Sequence, residues 1–442
     1  MRRVDAVTLL LALGLTGCRP EEQTDPLPPV DQLSFYFPIG IATTRVTGTA
    51  TLLVASSNFD LRYSAEQGGT LLSIDHQGPS GSDRLLDGVR IPSYAGAVAV
   101  ADEATCPGIG AGASALVASR FDDTLYRFGI LPGDGSLSCG PGCTRRTGGD
   151  PFAVTVACRS DGGRRTAYVG WLDPPESTRG SGAGAWVTEV DLDDPLAPSR
   201  AVDVGDGPIR SMAYDAETDR LWLASQSSGA RALLHSVALS DPRWVGGPAP
   251  WEAVDTVDLF PEVWGAELRS IALGSPIPGA PRRLYATARL YDAESQGSSG
   301  ERPGGDIGGA LVVLDVTDGA DGRPAVVVRG VVPLGPSVGD VAIVRRAPPL
   351  RDVVVATVLD GDLLFVYDAE TEAVARIIAH DPLGLPLLGD QPMALAVDQP
   401  SPGTAAWVYV AAFGGHSVTR FLLDPADPSA APTLLPIGGL VP

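Results

Sequence analysis

The run Leu53-Val54-Ala55-Ser56 recurs with small variations along this chain of 442 residues. Each copy follows a short Ala/Val-rich run and precedes another β-rich run, such as Leu72-Ser73-Ile74-Asp75. The later copies are Leu116-Val117-Ala118-Ser119, Leu221-Trp222-Leu223-Ala224-Ser225, Val353-Val354-Val355-Ala356-Thr357 and Val408-Tyr409-Val410-Ala411. Short β-rich runs that repeat every roughly 45–75 residues indicate units that bury their faces only against neighbouring copies.

Seven such units can be aligned, within the usual four to eight blades of a β-propeller, and a count of six or eight blades is the alternative. Their predicted bounds are 38–90, 91–148, 149–204, 205–257, 258–334, 335–381 and 382–437. Glycine (53) and proline (39) are abundant between runs of residues that suit pleated, half-buried strands. The sequence therefore predicts an all-β fold, a seven-bladed β-propeller of four-stranded antiparallel blades, over residues 33–442.

Two segments resemble the YVTN-type or lactonase-like seven-bladed propellers. They are Trp407-Val408-Tyr409-Val410-Ala411-Ala412-Phe413-Gly414-Gly415-His416-Ser417-Val418-Thr419-Arg420-Phe421 and Leu53-Val54-Ala55-Ser56-Ser57-Asn58-Phe59-Asp60. The resemblance covers most of the chain after residue 38 and implies a fold more than an activity. A closed ring needs a partner for the outer edge of its last blade. Segments 33–37 and 433–436 are the two candidates for that strand.

The first residues are typical of an export signal. Arg2 and Arg3 precede an apolar run, Val7 to Leu15, that is too short to span a bilayer. The sequence Leu15-Thr16-Gly17-Cys18 resembles the lipobox of bacterial lipoproteins, which implies cleavage before Cys18 and its lipidation. Residues 1–17 are therefore predicted to be a lipoprotein signal peptide.

Residues 18–32 are rich in Pro, Asp and Glu and are predicted to be a short flexible tether behind the lipidated Cys18. The location this implies is the bacterial cell envelope, with the membrane as a partner through the lipid anchor. The residue after the lipidated cysteine affects sorting between membranes, and an aspartate there would favour retention in the inner membrane. This chain has Arg19 instead, which favours the outer membrane. The alternative is a plain secreted protein with a coincidental cysteine.

Four cysteines remain after Cys18, all within two neighbouring repeats: Cys106, Cys139, Cys143 and Cys158. An even number in an exported protein predicts two disulfides. Four cysteines allow three connectivities, and the sequence does not choose among them. Because Cys139 and Cys143 are so close in sequence, we expect one of them to bond Cys106 and the other Cys158 in preference to each other. A zinc site is the competing interpretation, and the oxidising compartment disfavours it.

The composition excludes several functions. The formal net charge is −21 and the chain contains no lysine, so nucleic acid is not expected as a partner. Schiff-base chemistry and pyridoxal phosphate are excluded because each needs an amine side chain. No cofactor is predicted, apart from the calcium considered next.

Charged residues follow the second strands with unusual regularity, on the face where propeller ligands usually bind. The candidate residues for a binding face are Asn58, Asp60, Arg62, Tyr63, Arg120, Asp122, Asp360, Asp362 and His416. The connections between blades add Asp150, Asp206, Asp340 and Asp390. These carboxylates predict an acidic ring that would suit calcium. The simpler alternative, which we favour, is that Asp and Gly form tight β-turns and cap their own backbone.

Three functions fit this pattern. The main hypothesis is a non-enzymatic envelope lipoprotein whose propeller binds a protein partner or a small ligand on that face. The alternative is an envelope hydrolase of the lactonase-like kind, which would need an arginine, an acid and a histidine grouped at the channel. Arg62, Arg120, Asp122 and His416 could form such a group, but no motif assigns catalytic or metal-binding roles. An electron-transfer or quinone-dependent propeller is the weakest of the three.

Overall fold

The structure is a computed structural model of the chain. It describes residues 27–46, 50–76, 83–106, 112–158, 164–173, 184–226, 231–246, 249–261, 266–291, 306–319, 322–381 and 383–437. The predicted signal peptide, Cys18 and most of the predicted tether lie outside these residues. In the part that is described, no helix is both long enough and apolar enough to cross a membrane.

Seven antiparallel sheets account for the described strands. Blade 1 comprises β1 (Pro38–Thr44), β2 (Ala50–Ser56), β3 (Gly69–His76) and β4 (Arg84–Ile91). Blade 2 comprises β5 (Ala95–Ala101), β6 (Ser114–Ser119), β7 (Thr124–Ile130), β8 (Leu137–Ser138) and β9 (Thr144–Arg146). Blade 3 comprises β10 (Pro151–Cys158), β11 (Arg165–Trp171), β12 (Gly184–Asp191) and β13 (Arg200–Asp206). Blades 4 and 5 comprise β14 (Ile209–Asp215), β15 (Arg220–Gln226), β16 (Ala232–Ala238) and β17 (Val254–Asp258); and β18 (Ala266–Leu273), β19 (Arg282–Tyr291), β20 (Asp306–Asp318) and β21 (Pro324–Gly335). Blades 6 and 7 comprise β22 (Val338–Val344), β23 (Val353–Val358), β24 (Leu363–Asp368) and β25 (Ala373–Ile378); and β26 (Pro392–Asp398), β27 (Ala406–Ala412), β28 (Ser417–Leu423) and β29 (Leu434–Ile437).

Each blade is a meander in which consecutive strands are neighbours, and in blade 2 both β8 and β9 pair with β7. The first strands form a closed ring, since β1 packs on β5, β5 on β10, β10 on β14, β14 on β18, β18 on β22, β22 on β26 and β26 on β1. The predicted fold class and all seven predicted repeats are therefore confirmed. A short α-helix, α1 (Pro242–Gly246), and the 3-10 helix Pro250–Ala253 lie between β16 and β17.

The core lies between neighbouring blades. Every residue of β2 is buried, and the same holds for β6 and β23. Strands buried on both faces have continuous apolar runs and not alternating ones. This double burial explains the recurring Val-Ala-Ser-like runs, because each second strand packs against both adjacent blades.

Among the described strands, the ring closes without exchanging a strand between blades. The outer strand of blade 7 is β29, so of the two predicted closing segments the C-terminal one is correct. The N-terminal candidate, 33–37, forms no strand. Its Phe35 is instead buried with Ile41 and Leu52 of blade 1 and Tyr409 of blade 7. Side-chain packing thus joins the first blade to the last.

The two disulfides exist, but their predicted pairing is wrong. Cys106 bonds Cys158, whose Cα atoms are 5.4 Å apart, and Cys139 bonds Cys143 at 5.3 Å. The first bond ties blade 2 to blade 3. The second closes the tight turn between β8 and β9. Both strands pair with β7, so the chain reverses direction between the two cysteines, which are four residues apart. Cys139 and Cys143 bond each other because they are close in sequence. The expectation that each of them bonds a cysteine of a distant loop is wrong.

Candidate functional site

All seven inner strands are irregular near their first residue. The register with the second strand shifts between Pro38 and Gly40, Ala95 and Val98, Pro151 and Ala153, Ile209 and Ser211, Leu268 and Ser270, Val338 and Val341, and Pro392 and Ala394. A β-bulge leaves a residue outside the ladder and re-aims its side chain. Seven bulges at corresponding positions therefore present a ring of side chains at one end of the channel.

Residues from these bulges line a central cavity of about 240 Å³. In ring order, blades 1 to 7 contribute Ile39, Ala97, Phe152, Arg210, Arg269, Asp340 and Met393. The members from blades 7, 1, 2 and 3 are apolar, and those from blades 4, 5 and 6 are charged. The cavity consequently has an apolar half and a polar half.

Asp340 is the carboxylate of the polar half. Its Oδ1 accepts hydrogen bonds from the Ser270 hydroxyl (2.5 Å) and the Val341 amide (2.9 Å), and its Oδ2 accepts one from the Leu395 amide (2.9 Å). These bonds connect blades 5, 6 and 7. Burial raises the pKa of Asp340, and the three hydrogen bonds oppose that rise. Since a carboxylate has about four acceptor positions, Oδ2 keeps one for a further donor.

Two arginines line the same cavity as this carboxylate. Arg269 is partly buried, its guanidinium lies 3.5 Å from the Glu267 carboxylate, and its Nε has no hydrogen-bond partner among the described residues. Arg210 lines the same wall from the neighbouring blade. The hydroxyl oxygens of Ser211 and Ser270 are 3.4 Å apart, and because Ser270 donates to Asp340, Ser211 is the donor between them. This wall can bind an anion or a carbonyl oxygen.

The apolar half continues outward from the cavity. Leu359, which follows the second strand of blade 6, lines the cavity, and its N–H donates to the Ser337 carbonyl (2.8 Å). Phe413 is the equivalent residue of blade 7, and its N–H donates in the same way to the Gln391 carbonyl (2.9 Å). Phe413 therefore occupies in blade 7 the position that Leu359 occupies in blade 6.

Phe413 belongs to a group of five rings that we term the rim cluster: Phe37, Phe59, Tyr94, Phe413 and His416. Phe37 is 4.9 Å from Phe413 and 4.3 Å from His416 between ring centroids. Phe59 is 5.5 Å from Phe413 and 5.9 Å from Tyr94. These distances suit edge-to-face aromatic contacts, so the cluster is a continuous surface over blades 7, 1 and 2.

The predicted site residues of blade 1 divide into a structural residue and an exposed pair. Asn58 is fully buried; its amide donates to the Ser93 hydroxyl (2.8 Å) and the Tyr63 carbonyl (3.1 Å), and its Oδ1 accepts the Tyr63 N–H. It closes the turn that Tyr63 ends. Asp60 and Arg62 are exposed, with 3.5 Å between their charged groups.

The predicted residues of blades 2 and 6 serve mainly the backbone and their neighbours. Arg120 makes a two-pronged ion pair with Asp150 (2.7 and 2.8 Å), and Asp122 accepts the Tyr126 hydroxyl (2.7 Å). Asp362 accepts the N–H of Gln391 (2.8 Å), across the boundary from blade 6 to blade 7. Asp360, by contrast, is exposed.

His416 makes the corresponding connection where the ring closes. Its Nδ1 accepts the N–H of Phe37 (3.1 Å), linking blade 7 to blade 1 as Asp362 links blade 6 to blade 7. Burial, followed by the nearby Arg62, lowers the pKa of His416, while Asp60 and Asp390 raise it less. The imidazole is thus held neutral, as an acceptor.

The carboxylates do not gather as the acidic ring would require. Across the described residues there is no group of three or more His, Cys, Asp or Glu that could hold a metal ion. The nearest approach is Asp390 with Asp362: burial and then this neighbouring carboxylate raise the pKa of Asp390. Calcium binding at this face remains an untested prediction.

Arg210 and Arg269 are the functional candidates that the sequence did not reveal. The sequence predicted the site on the turns after the second strands, because charged residues are frequent there. The residues at the channel instead lie at the second to fourth position of each first strand, where a bulge replaces the usual alternation. Lining up the seven first strands would have given Arg210, Arg269 and Asp340 as a charged set.

Fold and cavity together define a seven-bladed β-propeller with a two-sided central channel. One similar solved structure is the periplasmic gluconolactonase PpgL of Pseudomonas aeruginosa, with a TM-score of 0.54 and 16% identity over 88% of this chain and 99% of that one. Another is a putative 6-phosphogluconolactonase of Bacteroides uniformis, with a TM-score of 0.46 and 15% identity over 76% of this chain and 93% of that one. No protein-family model matches the sequence, and no curated protein matches it. At these identities the likeness shows the fold alone.

Proposed function

We propose that this protein is a hydrolase that opens lactone rings in the central channel. The observation that carries the proposal is the polar half of the cavity, where Arg210, Arg269 and Asp340 come from three consecutive blades. The fold shared with a periplasmic gluconolactonase over nearly its whole length supports the same reaction class. The alternative from the sequence therefore replaces the non-enzymatic binding module as the leading hypothesis.

The proposed chemistry assigns a role to each group. Water adds to the lactone carbonyl carbon, the ring C–O bond breaks, and the product is a hydroxy acid. Arg210 and Arg269 meet the negative charge that develops on the carbonyl oxygen, which is commonly the largest contribution in acyl transfer. The remaining acceptor position on Asp340 Oδ2 receives a proton from the attacking water, and Asp340 returns that proton to the ring oxygen as the C–O bond breaks. Glu267, paired with Arg269, holds that guanidinium in place.

Lactone hydrolysis can be measured as acid release at constant pH with five- and six-membered lactones. We expect Arg269→Gln to lower kcat by about 100-fold, the usual effect of removing one such donor. Arg84→Gln is the matched control, since Arg84 is exposed on β4 of blade 1, away from the cavity. Activity no faster than spontaneous hydrolysis, or full activity in Arg269→Gln, would refute the proposal.

We also propose that the chain is exported and anchored by a lipid on Cys18, within the envelope. The lipobox-like Leu15-Thr16-Gly17-Cys18 and two disulfides support this location, as does the periplasmic location of the similar gluconolactonase PpgL. Cys18→Ser should move the protein from the membrane fraction to the soluble fraction of a bacterial expression host. Retention of Cys18→Ser in membranes would contradict the anchor.

A further inference from the structure

The charged and apolar sides of the channel are separated by blade. The bulges of blades 4, 5 and 6 supply Arg210, Arg269 and Asp340, whereas those of blades 7, 1, 2 and 3 supply only apolar side chains. A polyhydroxylated ligand needs hydrogen-bond partners around its whole circumference, because each buried hydroxyl left unpaired costs about 1–3 kcal/mol. Half of this wall offers no side-chain donor or acceptor.

The apolar half extends from the cavity to solvent. Met393 lines the cavity, and Phe413 packs with it on the same hydrophobic cluster, which also contains the cavity residue Ile39. Phe413 leads to the rim cluster, whose Phe59 is 50% exposed. Packed apolar side chains thus connect the cavity residues Met393 and Ile39 with a half-exposed aromatic side chain. Exposed apolar surface next to a cavity is a usual sign of ligand contact.

The cavity volume limits what can be fully enclosed. At about 240 Å³ it lies below the roughly 300–1,000 Å³ typical of sites for drug-sized ligands. A small ring would fill the cavity, and any substituent on that ring would extend out of the cavity along its apolar side. The chain as a whole carries a net charge of −21, but the cavity contains two positively charged arginines. They favour a ligand whose enclosed end is rich in oxygen or negatively charged.

We propose, resting on the function above, that the substrate is an amphiphilic lactone whose carbonyl faces Arg210 and Arg269 and whose apolar substituent lies along Met393, Phe413 and Phe59. Hydrolysis then gives a hydroxy acid with an apolar tail, whose new carboxylate faces the two arginines. Sugar-type lactones, which are polar on every side, are poor substrates. The rim cluster thereby determines substrate specificity.

A chain-length series tests this proposal. We would compare kcat/KM for γ-butyrolactone, γ-hexalactone, γ-octalactone and γ-decalactone with that for glucono-δ-lactone. Burial of each methylene contributes about 0.8 kcal/mol, so kcat/KM should rise about fourfold for each carbon until the tail reaches solvent. A flat series, or a preference for the sugar lactone, would overturn the proposal.

Phe59→Ala and Phe121→Ala form a matched pair of variants. Both side chains are exposed aromatics on turns after second strands, at 50% and 44%, but only Phe59 contacts the rim cluster. Phe59→Ala should lower kcat/KM about tenfold for γ-decalactone, in keeping with the loss of a few buried methylene contacts, and leave γ-butyrolactone unchanged. Phe121→Ala should change neither. Equal effects of Phe59→Ala on both substrates would contradict a specificity role.

Direct binding separates this inference from the proposed function. Calorimetric titration of 3-phenylpropanoate, a non-reactive amphiphilic carboxylate, should show binding that weakens in both Arg269→Gln and Phe59→Ala. If this binding is found but no lactone is hydrolysed, the proposed function fails and the amphiphilic site stands. If lactones are hydrolysed without chain-length dependence and 3-phenylpropanoate does not bind, the inference fails and the hydrolase stands.

Discussion

The hydrogen bond from the Phe37 N–H to His416 Nδ1 crosses the last boundary of the ring, from blade 7 to blade 1. At the boundary from blade 6 to blade 7 a carboxylate, Asp362, accepts the equivalent N–H, and at the boundary from blade 2 to blade 3 Asp123 does so for Asp150 (2.9 Å). A carboxylate accepts at any pH near neutrality. An imidazole accepts at Nδ1 only while that nitrogen carries no proton. The closing boundary is therefore sensitive to acid where these two boundaries are not.

Stability should consequently fall as the pH is lowered through the range in which the unfolded histidine binds a proton. The pKa of His416 is lowered in the folded protein, chiefly by burial. The unfolded chain thus binds the proton more readily, and stability is lost below about pH 6.5. Urea unfolding at pH 8 and pH 5 should show a larger loss in the parent than in His416→Asn, whose amide oxygen can still accept. An equal loss in both proteins would contradict this role.

At the scale of strands, burial accounts for what the sequence could predict. Second strands such as β2 and β23 are buried on both faces, so their continuous apolar runs gave the repeat and the blade bounds. The bulges could not be predicted in this way, because a residue displaced from the ladder leaves no break in composition. Arg210 and Arg269 appear in the sequence as ordinary arginines within a strand, and only the ring of first strands brings them together.

The two disulfides differ in how far along the chain they reach, and their removal should differ accordingly. Cys106 and Cys158 are 52 residues apart, whereas Cys139 and Cys143 are four apart. Loop-closure entropy predicts a loss of about 4 kcal/mol for the double serine variant of the first pair and about 2 kcal/mol for that of the second. Denaturant unfolding of both double variants measures the difference. A greater loss from the short loop would show that strain or local structure outweighs chain entropy.

For the whole molecule, the described residues exchange no strand between blades 1 and 7, so side-chain contacts close the ring. The packing of Phe35 adds to the Phe37–His416 hydrogen bond and the Arg45–Asp398 ion pair. Phe35 is 1% exposed and contacts residues of both blades, although it belongs to no strand. Phe35→Ala should cost about 3–5 kcal/mol of stability, the usual range for truncating a buried phenylalanine. Phe121→Ala is the control, because its side chain is 44% exposed. Thermal or urea unfolding gives both values.

The location of the stability loss in Phe35→Ala tests whether Phe35 joins the first blade to the last. If Phe35 joins the ends of the ring, amide hydrogen exchange in Phe35→Ala should increase most in β1 and in the strands of blade 7, and least in blade 4, on the far side of the ring. An increase spread evenly over all blades would mean that Phe35 contributes only to global stability. Because the apolar half of the channel includes blades 7 and 1, a loosened boundary there should also flatten the dependence of kcat/KM on substrate chain length, while leaving the arginine side intact.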